Sequence, residues 1–223
     1  MTELLPGVHV VDDLSGDKNF TTNVFLIKDA GATWTMIDAG LPGASPRVEA
    51  YLKAHRIEPR SIQRILLTHL HRDHTGGLKA AVALTGAKTY AHWIEAGFLA
   101  GHPPYDGPGA PPTEPIAVDE ILKDGDPVDA GGGLIAYHTP GHTAGHTAYY
   151  QPERRILFSG DLFFGLPNGL SLTLPEYTLH TGTAQVSARR VGALSIESLM
   201  TYHGGPYAKG AAAHVKGLVA KLP

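Results

Sequence analysis

Three imidazoles and a carboxylate fall within the six residues His69-Leu70-His71-Arg72-Asp73-His74. So many nitrogen and oxygen donors in one place suit a metal ion and give no packing advantage. On a helix, positions two apart lie about 200° from each other around the axis, so His69 and His71 could not share an ion. Along an extended segment they point the same way. The motif is therefore expected at the end of the strand formed by the apolar run at 62–67. Asp73 and His74 follow where the chain turns into a helix, and they face a neighbouring point. Two adjacent metal positions are implied. His142, Asp161 and His203 each follow a strand-like stretch and have glycine nearby, which lets backbone approach a shared ion or serves a plain turn. With the first cluster they make seven ligands, enough for two ions.

The elements that must hold these residues alternate along the chain. Strands are expected at Val8 to Asp12 and Asn23 to Lys28, joined by the polar loop Leu14 to Asn19. A third runs from Trp34 to Asp38. Asp38 then serves either as a turn residue or as a group orienting the histidine loop. Ser45 reads as an N-cap with Pro46 at the first helical position and a helix to about His55. After the metal motif, Thr75 to Thr85 reads as a helix, Lys88 to Ala91 as a strand and Trp93 to Leu99 as a helix. Further strands are expected at Ile116 to Leu122, Leu134 to His138, Tyr149-Tyr150, 156–158 and Ser198 to Tyr202. Ala184 to Leu194 and Gly210 to Leu222 read as the last helices. The order suggests two sheets packed face to face with helices outside, in a single domain over 1–223.

Composition narrows the function. The chain has 223 residues, a 43% apolar share and a net charge of −3. Nucleic acid and anionic membrane are therefore disfavoured as partners. With no cysteine, a metal must be held by nitrogen and oxygen. No signal-peptide pattern opens the sequence and no apolar run reaches membrane-spanning length, so a cytoplasmic location is expected. The expected partner is a small-molecule substrate, with a homodimer also compatible.

Through His69-x-His71-x-Asp73-His74, then His142, Asp161 and His203 in that order, the chain resembles the metallo-β-lactamase superfamily. The resemblance implies an α/β fold, an αββα sandwich with metals at one edge between the sheets. It also implies that His69, His71 and His142 bind one metal, that Asp73, His74 and His203 bind the second, and that Asp161 bridges them. The ions implied are divalent, zinc first, with iron or manganese as alternatives. Exported β-lactamases of the family use a cysteine where this chain has Asp161, so antibiotic hydrolysis is not expected. Glyoxalase II enzymes share the aspartate but carry a C-terminal helical domain, whereas only about twenty residues follow His203 here. The small general hydrolases and lactonases are the nearest match, with the glyoxalase II-like branch as the other candidate. The chemistry expected is attack of a metal-bridging hydroxide on an ester, thioester or lactone carbonyl, with Asp73 as the catalytic proton carrier. The alternative is a mononuclear iron oxidoreductase of the persulfide dioxygenase type, using His69, His142 and Asp161.

Other residues carry narrower expectations. His146 reads as a donor behind the metal ligands or as a solvated histidine. Phe163, Phe164 and Leu166 could wall an acyl pocket or pack in the core. Tyr177 and His180 are placed in a loop before the helix at Ala184, within reach of a substrate carbonyl. The proline- and glycine-rich stretch Gly101 to Pro115 is expected to cover the metal edge, with Tyr105 pointing at the substrate. His9, His55, His92, His102, His138 and His214 lack ligand spacing and are expected to be structural or at the surface.

Overall fold

A computed structural model describes residues 2–11 and 21–223. The strands β1 (Thr2–Leu5), β2 (Val8–Val11), β3 (Val24–Lys28) and β4 (Trp34–Ile37) pair antiparallel in chain order. To β4 are added, in parallel, β5 (Ile62–Leu66), β6 (Lys88–His92) and β7 (Glu120–Leu122). Parallel neighbours need a crossover. It is supplied in turn by α1 (Ser45–Ala54), by α2 (Arg72–Thr75) with α3 (Leu78–Thr85), and by α4 (Trp93–Leu99). The second sheet contains β8 (Pro127–Val128), β9 (Leu134–His138), β10 (Thr147–Gln151) and β11 (Ile156–Gly160), all antiparallel. A separate hairpin follows, β12 (Phe163–Leu166) with β13 (Gly169–Leu172). After α5 (Thr181–Gly192), β14 (Ser198–Thr201) joins β11 in parallel, and α6 (Ala211–Val219) comes last.

Three apolar clusters correspond to the three seams of an αββα sandwich. Between the sheets, Phe25, Ile27, Ile37 and Leu66 meet Ala136, Tyr149, Phe158 and Met200. Outside the first sheet, Leu26, Met36 and Ile65 pack under Tyr51, Leu52, Leu78 and Leu99 of the helices. Outside the second, Ala148, Leu157 and Leu199 pack under Ala188, Val191 and Val215. Along β3 the residues alternate between the two seams, so an unbroken apolar run still obeys the period of two. Truncating a side chain such as Phe25 in the central seam should cost about 3–5 kcal/mol.

Strand direction gathers the ligands. β4 and β5 are parallel, and β11 is parallel to β14. β9 also runs with β11, because each is antiparallel to β10. The segments following these strands therefore leave at common edges, and they carry Asp38, the His69–His74 loop, His142, Asp161 and His203.

Several expected boundaries shift. β5 ends at Leu66, so the His69–His71 stretch is a loop beyond the strand and not its last residues. Ala44, not Ser45, occupies the N-cap position of α1, without a side-chain cap bond. The helix expected at Thr75 to Thr85 is broken at Gly76-Gly77. There the chain passes so close to the Ala39 carbonyl oxygen that a Cβ on Gly77 would lie 2.2 Å from it. Ile116 packs in the core without joining a strand, and only Glu120–Leu122 pairs with β6. The last strand stops at Thr201, and α6 covers 211–219 within the longer stretch expected. Asp12 and the loop Leu14 to Asn19 lie outside the described residues. The β12–β13 hairpin differs from the expectation for Phe163, Phe164 and Leu166, which read as a pocket wall or as core packing and not as a strand.

Candidate metal centre

The first group of donors is three histidines whose hydrogen bonds dictate where their lone pairs point. His71 Nε2 lies 3.0 Å from the Pro108 carbonyl oxygen, which only accepts, so this nitrogen carries hydrogen and Nδ1 keeps a lone pair. The Thr178 hydroxyl donates to the Leu174 carbonyl at 2.7 Å and accepts from Thr173 at 2.9 Å. Thr173 in turn accepts from His142 Nδ1 at 2.7 Å, which leaves His142 Nε2 as an acceptor. Thr68 donates to Asp38 Oδ2 at 2.8 Å, so His69 Nδ1, 3.1 Å from the same hydroxyl, donates to it. His69 Nε2 is buried with no hydrogen-bond partner among the described residues. His142 Nε2 and His71 Nδ1 are 3.0 Å apart, two lone pairs facing each other. All three donor atoms lie within 4.8 Å of one another. The arrangement is repulsive alone and fits a cation at its centre.

The second group mixes imidazole with carboxylate: Asp73, His74 and His203 also place one donor atom each within 4.8 Å of the others. His74 Nδ1 donates to Asp38 Oδ2 at 2.9 Å, and its Nε2 faces inward. His203 Nδ1 donates to the Thr21 carbonyl at 2.9 Å, aiming Nε2 at Asp73 Oδ2, 3.2 Å away. Asp161 sits between the groups. Its Oδ1 is 3.1 Å from His74 Nε2, and its Oδ2 is 3.4 Å from His142 Nε2 and 3.3 Å from His203 Nε2. Oδ1 and His74 Nε2 are near each other but not aligned as a hydrogen bond, as two ligands sharing an ion would be.

Electrostatics separates the two groups. Burial lowers His69 well below its ordinary range, helped by His74, His71 and His142, and burial likewise lowers His142 and His71. Burial also opposes a proton on His74, but Asp161, Asp73 and Asp38 outweigh it and raise this histidine well above its usual value. His203 is raised to about 9, burial again being overcome, chiefly by Asp161. Burial opposes ionisation of Asp161, yet His203 and His74 hold its carboxyl well below the usual carboxylate range.

The sites open into a cavity of about 420 Å³ lined by Leu41, Arg72, Asp73, Phe164, Tyr177 and His203, among others. That size suits a small molecule. Gly109 and Ala110 of the long loop also line it. Tyr105 does not point at the substrate space as expected. Its hydroxyl donates to the Pro108 carbonyl at 2.6 Å and its ring packs on Phe98, so it braces the loop from behind. Of the proposed pocket wall, Phe164 lines the cavity, Phe163 is fully buried in the core, and Leu166 faces a different groove. Tyr177 reaches the cavity. His180 is exposed at the N-cap position of α5, which begins three residues earlier than expected, and is not among the lining residues.

His146 is neither a ligand nor solvated. Fully buried, its Nε2 accepts the backbone N–H of Asp161 at 3.1 Å. It acts as an acceptor there, and not as the donor expected. Burial pushes its pKa down to about 3, consistent with a neutral ring donating from Nδ1 to Thr139 Oγ1 at 2.8 Å. Asp38 takes the orienting role and also a turn, with φ 58°. The remaining histidines are structural or exposed: His9 bonds Tyr51 at 2.7 Å, and His92 stacks on His138 at 4.2 Å. Sequence reasoning missed Thr68, Thr173, Thr178, Tyr202 and Glu95. Tyr202 stacks on His74 at 3.6 Å and donates to the Asp73 carbonyl. The available signals were Thr68 adjoining the motif and Glu95 four residues before Leu99, on the apolar face of its helix.

The model of the metallo-beta-lactamase superfamily matches residues 18–197. The chain belongs to that superfamily. Among curated relatives, it is 34% identical over 169 residues to a hydroxyacylglutathione hydrolase of Pseudomonas aeruginosa (strain LESB58). The match covers 74% of this superfamily member and 56% of the relative. The chain thus spans just over half the length of that relative. A metallo-beta-lactamase family protein from Thermus thermophilus superposes with TM-score 0.73 at 25% identity, covering 98% of this chain and 80% of that one. A metallo-beta-lactamase from Cronobacter sakazakii gives TM-score 0.76 at 23% identity, covering 99% and 90%. This second likeness speaks to the fold, an αββα arrangement, and to nothing further. Among the described residues, no helix is long and apolar enough to cross a membrane.

Proposed function

We propose that this chain is a metal-dependent hydrolase of a small thioester, with ester and lactone carbonyls open to the same chemistry. The observation that carries the reading is the convergence of lone pairs from His69, His71 and His142 beside a second donor group, with Asp161 between them. His69 Nε2, His71 Nδ1 and His142 Nε2 would hold one ion; Asp73, His74 and His203 would hold the other; Asp161 would touch both. Bound there, two divalent ions such as zinc would acidify a water and polarise the carbonyl. Asp73 is partly exposed at the cavity and ionised, its carboxyl lowered against burial by His74 and His203. It can accept a proton from the attacking water and return it to the leaving sulfur or oxygen. Phe164, Leu41 and Tyr177 offer an apolar wall with one hydroxyl, and the exposed Arg72 offers a cation to an anionic substrate group.

The hydroxyacylglutathione hydrolases among the relatives support a thioester first. The second complete donor group favours two ions over a single iron on His69, His142 and Asp161. A panel of thioesters, esters and lactones, assayed with metal analysis, tests both points. About two zinc ions per chain and preferred thioester turnover are expected. One iron with oxygen uptake and no hydrolysis would replace the reading with the oxidative one.

A further inference from the structure

Glu95 is a fully buried carboxyl group in the first turn of α4, with no cation paired to it among the described residues, and burial pushes its pKa up to about 7 against the backbone N–H bonds that favour its ionised form. Burying a lone carboxylate costs several kcal/mol unless hydrogen bonds compensate. Its oxygens divide between two loops. Oε2 accepts the Leu70 N–H at 2.7 Å, and Oε1 accepts the Gly145 N–H at 2.7 Å. Leu70 lies between His69 and His71, and Gly145 lies between His142 and His146. The approach is close enough to require glycine, since a Cβ on Gly145 would stand 2.8 Å from Glu95 Oε1 and 2.9 Å from its Cγ.

We propose that Glu95 is a positioning residue for the first histidine group, clamping the loop of His69 and His71 to the loop of His142 so that their lone pairs converge. This rests on the metal-binding reading above. The two loops come from different sheets, and elsewhere the same strands are joined by Thr147 N–H to the Thr68 carbonyl at 2.9 Å and Tyr149 hydroxyl to the Leu67 carbonyl at 2.7 Å. The sheets stay joined without Glu95; the clamp acts nearer the ligands. The second group is held by other partners: Asp38, Tyr202 and the Thr21 carbonyl. An amide cannot replace the carboxylate, because the NH₂ of a glutamine would face one of the two N–H donors.

The test isolates each group. His203→Ala removes a ligand of the second group only, and His142→Ala a ligand of the first only. Glu95→Gln is added to each background, and the metal-stripped protein is titrated with Zn²⁺ against a chromophoric chelator and with Co²⁺ by visible absorption. In the His203→Ala background, zinc affinity should fall about 10- to 100-fold and the cobalt spectrum should change. In the His142→Ala background both should stay as they were. Gly145→Ala keeps the carboxylate but crowds it, and should give the same selective loss where Glu95→Gln folds poorly. Equal weakening in both backgrounds, or none in either, overturns the clamp. Absence of zinc binding by the unmodified protein would instead remove the metal reading on which it rests.

Discussion

The two donor groups are built on opposite electrostatic terms. In the first, three imidazoles are pinned by hydroxyls and a carbonyl, and burial keeps protons off them. In the second, His74 and His203 stand among Asp38, Asp73 and Asp161, which hold protons on them when no ion is present. The first group is thus arranged to receive a cation at neutral pH, whereas the second must exchange protons for one. Asp161 lies between the two, within 3.4 Å of His142 and 3.1 Å of His74, and removing it should erase the contrast. Asp161→Ala is expected to bind less zinc than His203→Ala and to lose hydrolysis by roughly 10³, the scale of a principal electrostatic group. Elemental analysis with turnover measurements checks this, and equal metal losses in the two variants would argue against a shared ligand.

Sharpening the contrast requires a lesion on one side only. Thr173→Val withdraws the acceptor that keeps hydrogen on His142 Nδ1, and should weaken zinc at the first group about 10- to 100-fold while sparing the second. Zinc titration in the His142→Ala and His203→Ala backgrounds reads the two sites separately.

Proton competition gives the next effect. With His203 near 9 in the metal-free protein, zinc affinity of the second group should rise about 50-fold from pH 7 to 9 through this residue alone. The first group should stay nearly flat over that range. In the metal-free fold the stability terms also differ in sign. The raised His203 stabilises fully below about 6.5, the unfolded value, and loses this as pH rises through about 9. The lowered His69 and His142 destabilise as pH falls below their unfolded value. Chemical denaturation of stripped protein at several pH values would show it.

Arg72 should have the smallest effect. Arg72→Ala is expected to raise KM several-fold for substrates bearing a carboxylate, by about the 1 kcal/mol of an exposed charge contact, and to leave neutral esters unchanged. A uniform change across charged and neutral substrates would remove Arg72 from recognition.

What could be read from sequence follows the range of the interactions. The His69–His74 cluster was legible because its ligands are close neighbours, and side-chain direction in an extended segment has a fixed period. The sandwich was legible because strand and helix patterns alternate, and parallel strands force helical crossovers. His142, Asp161 and His203 were each indistinguishable from turn residues until taken together. Glu95 was hidden because helical periodicity places it among core residues, and only the fold brings Leu70 and Gly145 to its two oxygens. Tyr105 was misdirected because nothing in a proline- and glycine-rich loop fixes which way a side chain faces. His146 showed its spacing from His142 but not its role as an acceptor, which depends on where the Asp161 backbone lies.

The most direct test of a two-ion hydrolase is a zinc titration of metal-stripped protein, with thioester hydrolysis followed at each addition. Negligible turnover is expected at the start, then uptake of about two ions per chain, with activity returning as they bind. Hydrolysis undiminished in the stripped protein, or saturation without a second ion, would contradict it.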